Sequence, residues 1–196
     1  RVVQVEPHDA AAGEGLAALV IYCGLTDRPP GALPPLPRGF PSGALLQAAG
    51  GTAHGFGSDA RNEDEVGALY DDIEGRIGPI DVMVFNIGAN APSSILEETA
   101  RKYFKIWEMA CFAGFLNGRK AARCMAPRGH GTILFTGATA SLRGSANFAA
   151  FAGAKAALRA LAQSMARELG PRGIHVAHVV IDGAIDTEFI RSNFPL

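Results

Sequence analysis

The sequence predicts an α/β protein with a doubly wound parallel sheet and helices on both of its faces. Short apolar runs rich in β-branched residues alternate with longer helical patterns from residue 51 to residue 189, and this alternation is typical of βαβ units. The run 131–136 leads into a loop of small residues and then a helix. Open α/β sheets bind ligands at such places, beyond the carboxyl ends of the strands. We therefore expect one domain over residues 1–196.

Composition and charge argue against several classes of function. With 48% hydrophobic and 19% charged residues, the 196-residue chain is long enough for a sizeable core. Its net charge of −1 gives no electrostatic basis for binding nucleic acid or an anionic membrane. No apolar run is long enough to span a bilayer, and no signal-peptide pattern opens the chain. Because Cys23, Cys111 and Cys124 show no metal-ligand spacing, we expect reduced thiols, a cytoplasmic protein and no metal site.

The first fifty residues have the least regular pattern. Residues 1–6 read as a strand, residues 16–19 as the start of a helix, and residues 20–28 as a second strand. Six prolines then fall within residues 29–41. Proline interrupts helices and removes backbone donors, which favours an irregular surface insertion over a Pro-rich docking motif. A short helix is expected over residues 42–49.

From residue 51 onward the pattern becomes regular. Residues 52–57 and 80–85 read as strands, and residues 99–125 as a long helix. Another helix starts at Asn62, because an N-cap residue followed by Glu65 three positions later is a capping box.

The stretch from residue 131 to residue 181 contains the main functional signals of the sequence. It consists of a strand over 131–136, the small-residue loop, and a helix over 148–169 that is followed by a strand over 174–181. Phe151 and Lys155 are i and i+4 on this helix, so they lie on one face, one turn apart.

In this stretch the chain resembles the short-chain dehydrogenase/reductase family. That family has a Ser in the loop, a Tyr thirteen residues later and a Lys four residues after the Tyr. Counting back from Lys155, the Tyr position is Phe151 and the Ser position is Ala138. The resemblance implies a Rossmann-like fold, a small alcohol or carbonyl substrate, and NAD or NADP as cofactor. It also implies a partial chain, which stops before the family's last strand and helix.

The resemblance assigns ten residues to a dinucleotide site. They are Gly13, Gly15, Asp27, Arg28, Asp59, Asn86, Gly88, Lys155, Gly183 and Thr187. Gly13 and Gly15 match the last two glycines of the family's phosphate-binding turn, whereas Asp9 stands where its first Gly would be. At the end of the second strand, an acid would accept ribose hydroxyls and an Arg would favour a 2′-phosphate. Since Asp27 and Arg28 are both present, the sequence does not choose between NAD and NADP.

The later cofactor positions match the family in part. Asp59 stands where the family has an adenine contact, and a loop Asp before a helix is the alternative explanation. Asn86 and Gly88 match two residues of the motif Asn-Asn-Ala-Gly, and a simple turn is the alternative there. Gly183 and Thr187 match the motif Pro-Gly-x-x-x-Thr without its Pro.

The two substitutions change the chemistry that the resemblance implies. In the family, the Tyr exchanges a proton with the substrate oxygen, the Ser polarises the carbonyl, and the Lys binds the nicotinamide ribose. Phe151 has no ionisable proton and Ala138 cannot donate. Loss of a positioned acid or base lowers a rate by about 10²–10⁴. Thr136, Thr139 and Ser141 are near Ala138 and could supply a hydroxyl from the same loop, but none of them replaces a phenol next to Lys155. A water held by Lys155 is a conceivable proton source.

Two functional hypotheses follow. The first is an NAD(P)-dependent oxidoreductase whose activity is weakened or altered. The second is a catalytically silent, dinucleotide-binding or dimerising protein. In either case the resemblance implies a homodimer or homotetramer formed through the helices 99–125 and 148–169, with no nucleic acid or membrane partner. The family's helical Asn would fall at Cys111, three residues before Gly114, and we assign Cys111 no role.

Overall fold

The structure is a computed structural model that describes residues 2–6, 18–22, 53–88 and 91–181, the first two ranges through their backbone. Six of the candidate site residues lie outside the described residues: Gly13, Gly15, Asp27, Arg28, Gly183 and Thr187. The proline-rich segment 29–41 and the helix predicted over 42–49 also lie outside them.

The described residues form one six-stranded sheet. Its strands are β1 (Val2–Glu6), β2 (Ala18–Tyr22), β3 (Ala53–Gly57), β4 (Val82–Asn86), β5 (Gly131–Gly137) and β6 (Ile174–Val180), in the order β3-β1-β2-β4-β5-β6. β4, β5 and β6 are parallel to one another, and β1 is parallel to β3. β2 runs antiparallel to both of its neighbours, β1 and β4. The carboxyl ends of the other five strands therefore share one edge of the sheet.

β2 departs from two sequence expectations. The helix predicted over 16–19 is wrong at Ala18 and Leu19, which belong to this strand. Leu19 leads directly into Val20, Ile21 and Tyr22, residue types that favour strands. The reversed direction of β2 is the second departure, because the pattern predicts parallel strands throughout. Pairing on both sides satisfies the backbone groups of β2 in either direction, so the local sequence does not determine it.

Four helices follow the predicted pattern. They are α1 (Glu63–Arg76), α2 (Ala100–Trp107), α3 (Ala113–Met125) and α4 (Ala149–Leu169). Asn62 caps α1 by accepting the backbone N–H groups of Asp64 and Glu65, as the capping box predicts. α2 and α3 form the long helix expected over 99–125, but a π-helical segment, Glu108–Phe112, joins them. None of the helices in the described ranges is long and apolar enough to cross a bilayer.

The core lies between the sheet and the helices α1, α3 and α4. On the sheet side it contains Met83 and Phe85 of β4 with Ile133 and Phe135 of β5, all fully buried. α3 approaches this face closely at Gly114, where a Cβ would lie 2.5 Å from Leu158 Cδ1 and 3.2 Å from Phe85 Cε1. This close packing fixes α4 under the carboxyl ends of β4 and β5.

Candidate active site

Lys155 joins α4 to the ends of two neighbouring strands. Its Nζ donates hydrogen bonds to the carbonyl oxygens of Ile87, 2.9 Å away just after β4, and Thr136, 2.8 Å away in β5. The residue is 3% exposed. The structure therefore places Lys155 beside the Asn86–Gly88 turn at the carboxyl edge of the sheet, the position on which the sequence hypothesis depends.

The surroundings of Lys155 are mostly apolar. Burial lowers the pKa of Lys155 from 10.5 to about 8, and the neighbouring Cys111 thiol opposes this in part. The ring centroid of Phe151 lies 5.8 Å from Nζ, within cation–π range. Within the described ranges no carboxylate pairs with this ammonium. Desolvation therefore weakens the charged form without a compensating ion pair.

The loop after β5 directs its hydroxyl groups inward. Ala138 has an extended backbone (φ −147°, ψ 174°), and its N–H donates to Ser141 Oγ at 3.1 Å. Ser141 is 3% exposed. Thr139 Oγ1 is buried too and has no hydrogen-bond partner in the structure. Ser141 therefore stabilises the loop, and neither hydroxyl is presented to solvent as a replacement for the missing Ser.

His178 of β6 is a neighbour of the site that sequence reasoning missed. Its imidazole lies against Gly137, where a Cβ would be 2.0 Å from Cε1 and 2.2 Å from Nε2. Burial lowers the pKa of His178, and the charges of Lys155 and Arg159 lower it further. We therefore expect a neutral imidazole at pH 7. The only sequence signal was a polar residue in an apolar run, because the contact with Gly137 depends on the register between β5 and β6.

The Asn86–Gly88 turn is open. Asn86 is the exposed last residue of β4, and Gly88 is exposed two residues later. A Cβ built on Gly88 would meet no atom within 4 Å. Packing within the described residues therefore does not require a glycine here, and space remains for another molecule to approach the backbone.

Asp59 lies at the same edge of the sheet, beyond β3. Its carboxylate accepts three hydrogen bonds from Arg61: from the backbone N–H at 2.9 Å, from Nε at 2.9 Å and from Nη2 at 2.8 Å. These bonds lower the pKa of Asp59, while its backbone N–H donates to Glu65 Oε2. This is the arrangement of a loop Asp preceding a helix. β1 and β2 separate β3 from β4, so Asp59 is remote from the group of residues around Lys155, and its adenine contact stays a prediction.

Cys111 lies in the π-helical segment that faces α4. It is 7% exposed, and burial raises the pKa of its thiol although the charge of Lys155 lowers it. π-Helical turns are rare and frequent at functional sites. The structure therefore brings together Lys155, Phe151, the Ala138 loop and the Asn86–Gly88 turn, with Cys111 and His178 as additional neighbours.

Comparison with known proteins identifies the family. A family model described as short chain dehydrogenase matches residues 43–195. This chain belongs to the short-chain dehydrogenase family. A crystal structure of a short-chain dehydrogenase from Rhodopseudomonas palustris is 54% identical, with a TM-score of 0.67 over 74% of this chain and 66% of that chain. The Rossmann-like α/β fold predicted from the sequence is therefore confirmed.

Curated relatives of this chain include proteins with different described roles. The 3-oxoacyl-[acyl-carrier-protein] reductase MabA of Mycobacterium avium is 31% identical over 70% of this chain and 54% of the relative. The cyclic-di-GMP-binding biofilm dispersal mediator protein of Escherichia coli K12 is 34% identical over 78% of this chain and 61% of the relative. The chain spans about half the length of the mycobacterial reductases that it matches.

Proposed function

We propose that this short-chain dehydrogenase transfers a hydride between a nicotinamide dinucleotide and a small alcohol or carbonyl compound, with an activity altered by the absence of the Tyr and Ser hydroxyls. The observation that carries the proposal is the position of Lys155. Its buried Nζ bonds to the carbonyls of Ile87 and Thr136, at the edge where open α/β sheets bind ligands.

The residues at this edge fit a dinucleotide. The open space at Gly88 allows close approach to the backbone, and exposed Asn86 offers an amide beside it. We expect these two residues and Lys155 to contact the nicotinamide half, and Asp59 to contact the adenine half. Gly13, Gly15, Gly183 and Thr187 remain predicted cofactor contacts from the sequence. When bound, the nicotinamide supplies or accepts the hydride.

The cofactor could be NAD or NADP. Asp27 favours the free ribose hydroxyls of NAD and Arg28 favours the phosphate of NADP. Titration with each dinucleotide decides between them. A cytoplasmic location is part of the same proposal, because a reduced nicotinamide pool and free cysteines both suit that compartment.

The test is direct binding followed by turnover. NADH or NADPH is titrated into the protein while its fluorescence is recorded, and a panel of carbonyl compounds is then offered. Phe151→Tyr with Ala138→Ser should raise turnover by about 10²–10⁴, because it restores both hydroxyls next to Lys155. Phe104→Tyr is the matched control, since Phe104 is 60% exposed on α2, away from Lys155, and it should leave turnover unchanged. Failure of both dinucleotides to bind would refute the proposal.

A second candidate is a binding or dimerising protein without turnover. A row of neighbouring rings favours it. Phe104 and Phe115 are exposed, Trp107 and Phe112 are half-buried, and successive centroids lie 6.0, 5.9 and 6.1 Å apart from α2 through the π-helical segment to α3. Exposed apolar patches mark interaction sites. We propose that a second copy covers this row together with α4, giving a homodimer or homotetramer. The Escherichia coli relative, whose name describes binding, offers a precedent for this class.

Two measurements separate the candidates. Sedimentation velocity of wild type and Phe104→Asp reports on association, which the charge should weaken. Dinucleotide binding without turnover at any pH, with association intact, favours the second candidate.

A further inference from the structure

The ionisable groups near Ala138 and Phe151 are few. Among the described residues that interact with Lys155, the titratable ones are Cys111 from the π-helical segment and His178 from β6. Arg159 lies one turn further along α4 and acts on His178. No phenol among the described side chains lies at this point. Within the described part of the chain, a proton for a substrate oxygen must therefore come from one of these groups or from water.

We propose that Lys155 is itself the acid and base of this active site, a role that rests on the proposed hydride transfer. An ammonium has three N–H groups. Two of them bond to the carbonyls of Ile87 and Thr136, and the third, which has no hydrogen-bond partner among the described residues, is the one offered to the substrate. In the reducing direction a hydride would come from a reduced nicotinamide, its C–H bond there breaking as a C–H bond forms at the carbonyl carbon; the carbonyl π electrons would move to oxygen, and Lys155 would transfer this third proton to that oxygen. The neutral amine then takes a proton from water, and oxidation is the reverse.

The geometry suits this role. The two carbonyl oxygens hold Nζ at the ends of adjacent strands, so the donor does not swing away from the cleft. The ring centroid of Phe151 lies 5.8 Å from Nζ, and this ring carries no proton that would compete with the ammonium. Burial brings the pKa of Lys155 to about 8, and an acid near the working pH is the most effective proton donor.

Cys111 and His178 are less suited than Lys155 to act as the acid and base of this site. Burial raises the pKa of Cys111, so the thiol stays neutral and is a weaker acid than the ammonium. His178 is neutral at pH 7 because its pKa is lowered. Its Nε2 is buried against Gly137 without a hydrogen-bond partner. Lys155 is therefore the group that both carries a transferable proton at neutral pH and lies at the strand ends.

The first test measures the lysine itself in the free protein. The chain has only four lysines, Lys102, Lys105, Lys120 and Lys155, so the ¹³Cε signal of Lys155 is identified by its loss in Lys155→Arg. We expect it to titrate near 8. A midpoint above about 10, the value of a solvated lysine, would overturn the proposal.

The second test follows dinucleotide-dependent carbonyl reduction between about pH 6 and 10. Wild type should show one ionisation near 8. Lys155→Arg keeps a cation but gives up its proton far less readily, so turnover at saturating dinucleotide should fall by at least about 100-fold, whatever the change in dinucleotide affinity. Cys111→Ser and His178→Asn are the matched controls, and both should keep the ionisation.

The outcomes distinguish the two proposals. Binding of dinucleotide with no turnover, or with a pH profile that Lys155→Arg leaves intact, overturns the role of Lys155 and leaves dinucleotide binding standing. Loss of the ionisation in Cys111→Ser or His178→Asn would assign the acid and base role to that residue, and it would also overturn the role of Lys155. Absence of dinucleotide binding in wild type defeats the proposed function and this inference together.

Discussion

Replacing Lys155 by Met should make the stability of the protein respond less to pH. Met has a similar length and no charge, so the variant removes the ammonium that burial disfavours. A pKa that falls from 10.5 in the unfolded chain to about 8 in the folded one corresponds to about 3 kcal/mol. At pH 7 both states of the wild type hold the proton, and the folded state carries this full destabilisation.

The sign follows from proton binding. Between pH 8 and 10.5 the unfolded chain holds more protons on Lys155 than the folded one, so wild-type stability rises with pH in this range. Lys155→Met lacks this contribution. The variant also leaves the carbonyls of Ile87 and Thr136 without a donor, which destabilises it by an amount that does not depend on pH.

The assay is urea unfolding of both proteins at pH values from about 7 to 10. The free energy of unfolding of wild type relative to Lys155→Met should increase by about 2–3 kcal/mol over this range. Lys105→Met is the control, because it removes an ammonium from a residue that is exposed on α2. A wild-type-minus-variant difference that stays constant within about 0.5 kcal/mol would show that the burial argument is wrong.

Two further predictions concern close packing, and both are measured by chemical denaturation. Gly114→Ala should destabilise the protein by about 1–3 kcal/mol, because its Cβ would lie 2.5 Å from Leu158. Gly75→Ala, in the open on α1, should instead stabilise it by about 0.5–1 kcal/mol; equal effects would contradict the packing of α3. Gly137→Ala should destabilise by about 1–3 kcal/mol through its clash with His178. Part of that loss should be recovered with His178→Ala, while Ser141 Oγ would still lie 2.9 Å from the added Cβ; purely additive effects would refute the contact with His178.

Much of the site was predictable because its signals are local. The i, i+4 spacing of Phe151 and Lys155 depends only on the helix that contains them, and the helix forms as predicted. The cap at Asn62 likewise involves atoms within three residues. The adenine contact of Asp59 does not follow from such a local signal. A carboxylate just before a helix can instead accept hydrogen bonds from residues next to it in the chain, as Asp59 does from Arg61.

Other features arise from residues far apart in the chain. The register of β5 and β6 brings His178 against Gly137, and no periodicity within either strand reveals it. The sequence makes Ser141 a candidate to replace the hydroxyl that is missing at Ala138. In the structure, however, Ser141 Oγ accepts a hydrogen bond from the N–H of Ala138. The reversed direction of β2 also depends on which strands flank it.

Residue types and short spacings are enough to establish the order of the later strands and helices, the family, and the lack of a side-chain hydroxyl at positions 138 and 151. The burial of Lys155, its bonds to Ile87 and Thr136, and thereby its pKa follow from contacts between distant parts of the chain. A side chain's proton affinity depends on the solvent and dipoles around it, and long-range packing sets those surroundings.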